Sequence, residues 1–192
     1  MEPLLSIRGL RVTFPTAQGP FEALSDVDLD IGSGESLALM GESGCGKSVL
    51  GHAIMRLLDR VAEVEGSIQF RGREIASLDQ EGVRSLRGGN LALVPQSPSL
   101  AFDPVIRIGK QIDEMHVNDK HKVRADVRRS TMERLGRVGF NDTERIYRLF
   151  PHQMSGGMCE RALIAMATAL SPELLIADEP TKGLDTASKI DV

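Results

Sequence analysis

At 192 residues the chain has the length of one domain with room for a smaller subdomain. A chain of this size buries roughly 70% of its unfolded surface, so a core forms without covalent staples. The formal net charge of -4, with no block of consecutive Lys and Arg, argues against nucleic acid as the main partner, and two cysteines, Cys45 and Cys159, exclude a disulfide framework and point to a reducing compartment, the cytosol. The first five residues lack a basic region followed by a long apolar run. No stretch approaches the ~18 to 20 apolar residues that span a bilayer, so any membrane association is expected to run through a partner.

Apolar and polar residues tend to alternate over residues 4–14 and 26–31, most clearly at Val27, Leu29 and Ile31, which predicts half-buried antiparallel strands. A turn at Gly32-Ser33-Gly34 leads into residues 36–40, where Leu37-Ala38-Leu39-Met40 is continuously apolar and predicts a parallel strand covered on both faces. Next comes Gly41-Glu42-Ser43-Gly44-Cys45-Gly46-Lys47-Ser48, which fits G-x-x-x-x-G-K-[ST] and precedes an amphipathic helical run over residues 49–58. Glycines let backbone N–H groups curl around phosphate oxygens, and the helix directs roughly half a positive charge at them. Lys47 supplies a point charge for the β- and γ-phosphates, and the Ser48 hydroxyl can ligate Mg2+. This is a cradle for a nucleoside triphosphate.

Residues 66–70 and 91–94 predict two further strands, the second buried and ending at Pro95-Gln96. Ile108, Ile112 and Met115 then fall at helical spacing, as do Val123, Val127, Thr131, Leu135 and Val138 within a strongly charged segment, residues 120–137. Its Lys and Arg residues are expected to form a solvated face, and His116 and His121 of the same helical insertion are expected to be solvated too. Ser155-Gly156-Gly157 stands directly before a helical run over residues 158–170, and a serine and two glycines there form an N-cap and an anion-receptive mouth. Residues 174–177 form an apolar strand that ends in Asp178-Glu179-Pro180, placing carboxylates at the C-terminal edge of a sheet, where ligands of open α/β folds bind. Asp178 suits Mg2+ as a hard, rigidly held carboxylate, Glu179 can orient or deprotonate a water, and Gln96 can reach the same ion with its amide oxygen.

These motifs, in this order, resemble the ATP-binding cassette (ABC) proteins over essentially the whole chain. The correspondence is the phosphate loop at Gly41 to Ser48, Q-loop at Gln96, signature at Met154 to Met158, Walker B at Leu174 to Glu179 and D-loop at Gly183-Leu184-Asp185. The resemblance implies an α/β P-loop fold of ABC type. A mostly parallel core sheet would carry an N-terminal antiparallel β subdomain and an inserted helical subdomain. It also implies three sections: residues 1–99 as nucleotide-binding core, 100–157 as helical subdomain with the signature, and 158–192 as the return to the core. ATP and Mg2+ are the implied ligands, with Val49 at the helix start joining the nucleotide-binding set and Ser48, Gln96 and Asp178 the metal set. Lys47, Gln96 and Glu179 are the implied catalytic residues. Ser155-Gly156-Gly157 would meet the γ-phosphate held by a second ABC subunit in a head-to-tail dimer, which makes hydrolysis dimer-dependent.

The finer wording, Gln96-Ser97-Pro98 and Pro151-His152-Gln153-Met154-Ser155-Gly156-Gly157-Met158 above all, is similar to importers of the peptide and nickel class. The resemblance then implies a membrane permease as partner, contacted through the segment after Gln96 and the helical insertion, and a location on the cytoplasmic side of the cell membrane. Alternatives are a soluble ABC ATPase acting on nucleic acid or ribosomes, and a catalytically impaired nucleotide-binding fragment. The sequence departs from the family wording at Cys159-Glu160 and Lys182-Gly183, both expected to alter the dimer-facing electrostatics. Phe14 and Phe21 are candidates to stack on adenine, with Gln18 an alternative occupant of that place. Family members continue past the D-loop to a switch histidine, so the chain is expected to be a fragment or a shortened copy that by itself binds ATP weakly.

Overall fold

A computed structural model describes residues 2–116 and 123–180, the side chains of residues 99 and 100 excepted. The chain falls into two compact units, Met1–Arg87 and a second that begins at Gly88.

In the first unit, β1 (Leu5–Thr16), β2 (Gly19–Ile31), β3 (Glu63–Phe70) and β4 (Arg73–Glu74) form an antiparallel sheet in the order β2-β1-β3-β4. The alternation along β1 changes parity: Leu5 and Ile7 are fully buried, and so are Leu10 and Val12. An irregularity in the register between Ile7 and Leu10 inserts the extra residue, so that both halves of the strand keep their apolar side chains on one face. Helix α1 (Lys47–Ile54) contributes Leu50, Ala53 and Ile54 to the buried set. It stops short of the predicted residue 58 because Arg56 adopts a left-handed conformation with φ 50°. Helix α2 (Gln80–Leu86), which the sequence reading passed over, starts where the Asp79 carboxylate accepts the Gly82 N–H at 2.8 Å.

One expectation fails outright. Residues 36–40 form no strand, and Leu39 is 50% and Met40 92% exposed. A continuous apolar run signals a demand for burial, but a central strand also needs a ladder partner on each edge, and the described ladders offer none to this stretch.

In the second unit, β5 (Leu91–Val94) and β6 (Leu174–Ala177) pair in parallel, Leu91 opposite Leu174 and Val94 opposite Ala177. Asn90 sets this register. Its carbonyl accepts the N–H groups of Glu173 and Leu174 at 2.9 and 3.0 Å, and its side-chain amide donates to the Glu173 carboxylate at 2.6 Å. The intervening helices are α3 (Pro98–Ala101), α4 (Ile108–Glu114), α5 (Arg124–Arg137), α6 (Thr143–Arg148) and α7 (Gly156–Ala167). Ile108, Ile112, Leu135, Ala162 and Leu163 lie in their shared core together with Ala92 and Val94 of β5. On α5 only Thr131 and Leu135 are buried, so its charged residues lie outward as the pattern predicted.

Asp113 ties three of these helices. Its carboxylate on α4 accepts the Thr131 hydroxyl of α5 at 2.8 Å and the Tyr147 hydroxyl of α6 at 2.5 Å. Burial, with the bond to Asp113 second, pushes the Tyr147 phenol up, while Lys110 opposes the shift. Arg128 lies 4.8 Å from the centre of the Tyr147 ring. The ring rests directly on Gly109, where an added Cβ would come within 2.0 Å of it.

Two measurements check this account. Gly109→Ala forces the Tyr147 ring out of its seat, and urea unfolding should show a loss of at least about 3 kcal/mol. In the first unit Glu74 accepts the Ser67 hydroxyl and the N–H groups of Ile68 and Ala76 at 3.1 and 3.2 Å. Burial pushes its carboxyl up, but these bonds together hold it below the ordinary carboxylate value. A depressed folded pKa gives stability that is present above the unfolded pKa and lost as pH falls through the folded one. Glu74→Gln should therefore flatten the acid limb of the unfolding free energy below about pH 5, and an unchanged limb would refute the assignment.

Candidate active site

The phosphate loop depends on backbone that a side chain would disturb. Gly44 and Gly46 have φ of 84° and 96°. A Cβ on Gly46 would lie 2.6 Å from the Ala23 carbonyl oxygen and 2.8 Å from Leu24, so the loop lies tight on β2 at this point. Helix α1 opens at Lys47, with the Leu50 N–H bonded to the Gly46 carbonyl at 2.9 Å. The Lys47 ammonium bends back over the loop and donates to the carbonyls of Gly41 and Glu42 at 2.9 and 2.7 Å, 3.5 Å from the Cys45 sulfur. Ser43 and Ser48 are exposed, and Val49 is half-buried on the first turn.

The far end of α1 is anchored by residues the sequence reading missed. Arg87 donates through Nε to the Met55 carbonyl at 3.0 Å and through a terminal nitrogen to the Arg56 carbonyl at 2.7 Å. Arg56 in turn donates to the carbonyls of Ile75 and Leu78 at 3.3 and 2.6 Å. Cations at a helix C-terminus satisfy its last carbonyls and oppose its negative end. Arg56, near the end of the predicted helical run, was a visible hint; Arg87, 31 residues farther on, was not.

In the second unit the predicted carboxylates follow β6. The Asp178 N–H bonds to the Val94 carbonyl at 2.9 Å, which extends the parallel ladder to the acid itself. Asp178 is half-buried, whereas Glu179 and Gln96 are exposed. The Gln96 amide donates to the Glu179 carboxylate, so two predicted site residues from different strands meet. Glu179 has φ 50°, an unfavourable conformation for a residue with a side chain, and such strain concentrates at functional sites.

Ser155 caps α7, its hydroxyl accepting the Met158 N–H at 3.3 Å. A single 3-10 turn, Pro151–Gln153, leads to it, and the Gln153 side chain accepts the Phe150 N–H at 2.9 Å. His152 stacks on Phe150, with ring centres 5.6 Å apart, and Arg107 lies 5.3 Å from the Phe150 ring on the same assembly. Ser155 and Gly156 are exposed, Gly157 half-buried. Nothing lies within 4 Å of a Cβ built on Gly156, so its own fold does not require a glycine there.

Several expectations need correction. Cys159 and Glu160 do not face outward: both are buried, because they lie on the side of α7 that also buries Ala162 and Leu163. Burial pushes the Cys159 thiol up. His116 is 3% exposed, not solvated, since the turn after α4 carries it inward. The candidates to stack on adenine need no such correction: Phe14 and Phe21 are cross-strand partners near the β1–β2 turn, neither belongs to the core, Phe21 being 56% exposed, and Gln18 is exposed in the turn itself. His121, Lys182 and the predicted D-loop, residues 183–185, lie outside the described residues.

The donors fit the implied ligands. The first unit offers a helix N-terminus behind a glycine loop, an ammonium and an exposed hydroxyl; the second offers a carboxylate and an amide at the end of a parallel pair. No described helix is long and apolar enough to cross a membrane.

The chain is 41% identical over 186 residues to the dipeptide transport ATP-binding protein DppD of Lactococcus lactis subsp. cremoris (strain MG1363), covering 96% of this chain and 53% of that protein. It is 37% identical over 184 residues to the oligopeptide transport ATP-binding protein OppD of Escherichia coli (strain K12), covering 96% and 55%. The chain thus spans about half the length of the curated relatives it matches. Among solved structures, the dimeric post-hydrolysis state of the ATP-binding cassette MJ0796 bound to ADP and Pi is 25% identical, with a TM-score of 0.87, covering 97% of this chain and 78% of that one. The ABC transporter family model matches residues 24–182, and the chain belongs to that family.

Proposed function

We propose that this chain is the nucleotide-binding part of an ATPase subunit that powers peptide import through a membrane permease. It would work on the cytoplasmic side of the cell membrane, with its helical section, residues 100–157, set between core sections 1–99 and 158–192. The observation that carries this reading is the phosphate loop, with Gly46 tight against β2 and the Lys47 ammonium held over the loop by its own carbonyls. On this reading the backbone from Gly41 to Ser48, with Val49, receives the phosphates of ATP, and Lys47 exchanges its carbonyl partners for phosphate oxygens, a stronger pairing because both members are charged. Ser48, Gln96 and Asp178 would hold Mg2+, which supplies positive charge to the phosphate oxygens. Glu179 orients the attacking water and accepts its proton, and Gln96, already bonded to Glu179, positions that carboxylate.

A second subunit completes the site. Gly156 has open space where its Cβ would stand, which leaves the start of α7 accessible to a phosphate carried by a partner. The dimeric state of the MJ0796 cassette and the transport names of the relatives support the same assembly. A peptide is the favoured cargo because both relatives carry peptides in their names; nickel remains the other member of the class that the sequence wording resembles.

Two substitutions test the assignment. Lys47→Ala removes two charge-assisted contacts to phosphate and should weaken ATP binding by about 100-fold or more, read by fluorescent-nucleotide titration. Glu179→Gln should leave that affinity intact while slowing phosphate release by about 100-fold or more and trapping dimers with ATP. Hydrolysis at the parent rate in the Glu179 variant would remove that residue from the mechanism.

A further inference from the structure

The first unit holds a cavity of about 720 Å³ at the far end of α1, away from the phosphate loop. Its size is that of a small-molecule site, for which roughly 300 to 1,000 Å³ is usual. The floor is apolar, with Leu10, Ile68, Ile75 and Val83 all buried. The rim carries four arginines, Arg56, Arg60, Arg84 and Arg87, in a chain whose formal net charge is -4.

Two carboxylates, Glu74 and Asp59, also line the cavity and offset two of the four guanidinium charges, and neither is ion-paired with these arginines. Glu74 is turned to Ser67 and to the N–H groups of Ile68 and Ala76, and Asp59 accepts the Val61 N–H at 3.3 Å. Among the described residues the side chains of Arg60 and Arg84 make no hydrogen bond or ion pair. Arg56 and Arg87 spend part of their five donors each on backbone carbonyls and keep the rest. The C-terminus of α1 contributes roughly half a negative charge to the same place, which two full guanidinium charges outweigh. An anion is therefore drawn to the rim while an apolar body finds the floor.

We propose that this cavity binds a phosphate group carried on a small apolar body. Guanidinium forks match phosphate oxygens in pairs, and several forks lining one cavity suit a dianion with three acceptor oxygens better than a single carboxylate. A free organic phosphate and a phospholipid headgroup share this chemistry. Either occupant would compete with the Met55 and Arg56 carbonyls for Arg87, and so reach the rear anchor of the phosphate-loop helix.

Calorimetric titration with phenyl phosphate tests the proposal on the whole chain, in the parent, in Lys47→Ala and in the double variant Arg60→Gln/Arg84→Gln. Phenyl phosphate should bind Lys47→Ala as it binds the parent, bind the double variant at least ten-fold more weakly, and lose to no excess of phenol. Arg60→Lys/Arg84→Lys, which keeps charge but not the fork, should fall between them and guards against a variant that fails to fold. Flotation with phosphatidylcholine vesicles, with and without phosphatidylglycerol, separates the sources: arginine-dependent capture by the anionic vesicles alone, without phenyl phosphate binding, assigns the site to a lipid headgroup. Binding that vanishes in Lys47→Ala and survives in the arginine variants belongs to the phosphate loop and overturns the proposal. So does the failure of both probes, or arginine-dependent binding of a glutamate-rich peptide in their place.

Discussion

Gly46 has room for a hydrogen atom and nothing larger, and the first unit is arranged around that fact. The loop it belongs to lies against the Ala23 carbonyl, which fixes where α1 begins. Arg87 and Arg56 fix where it ends, by holding the last carbonyls of the helix and the segment between β4 and α2. An eight-residue helix is marginal on its own, so its direction comes from these two attachments and from the burial of Leu50, Ala53 and Ile54. Pointing a short helix dipole at a fixed place takes both ends.

The second unit reaches the same precision by other means. Asn90 stands just before β5 and bonds to Glu173 and Leu174 at the start of β6, so the strands cannot slip by a residue without breaking three bonds. Register at one end of the pair then decides what emerges at the other. Gln96 and Glu179 meet because Val94 lies opposite Ala177 and the Asp178 N–H continues the ladder. Asp113 does the corresponding work among the helices, and Gly109 permits it by letting the Tyr147 ring lie against the backbone of α4.

Local patterns were legible in the sequence; demands satisfied at a distance were not. Alternation located β1 and β2, the glycine loop announced α1, and Ser155 announced the cap of α7, because each rests on neighbours within a few residues. The parity change after Ile7, the reach of Arg87 to Met55 and the bond between Gln96 and Glu179 join residues far apart in the chain or depend on a bulge, and no spacing rule carries them. The burial of Cys159 and Glu160 shows the opposite error: a departure from family wording drew attention to an outer face, while helical periodicity already placed both beside Ala162 and Leu163. Leu37 to Met40 misled for a third reason, since apolar content reports what a segment needs and not what surrounds it.

That segment has a consequence for how the protein behaves in solution. Leu37, Leu39 and Met40 are exposed on backbone that joins no described ladder. Unpaired N–H and C=O groups beside uncharged apolar side chains are the template on which one chain recruits another by strand addition. The residues next to the phosphate loop therefore form an adhesive stretch among the described residues. Concentration, salt and anything that covers residues 36–40 will govern whether the protein stays dispersed, well before the integrity of its two cores is in question.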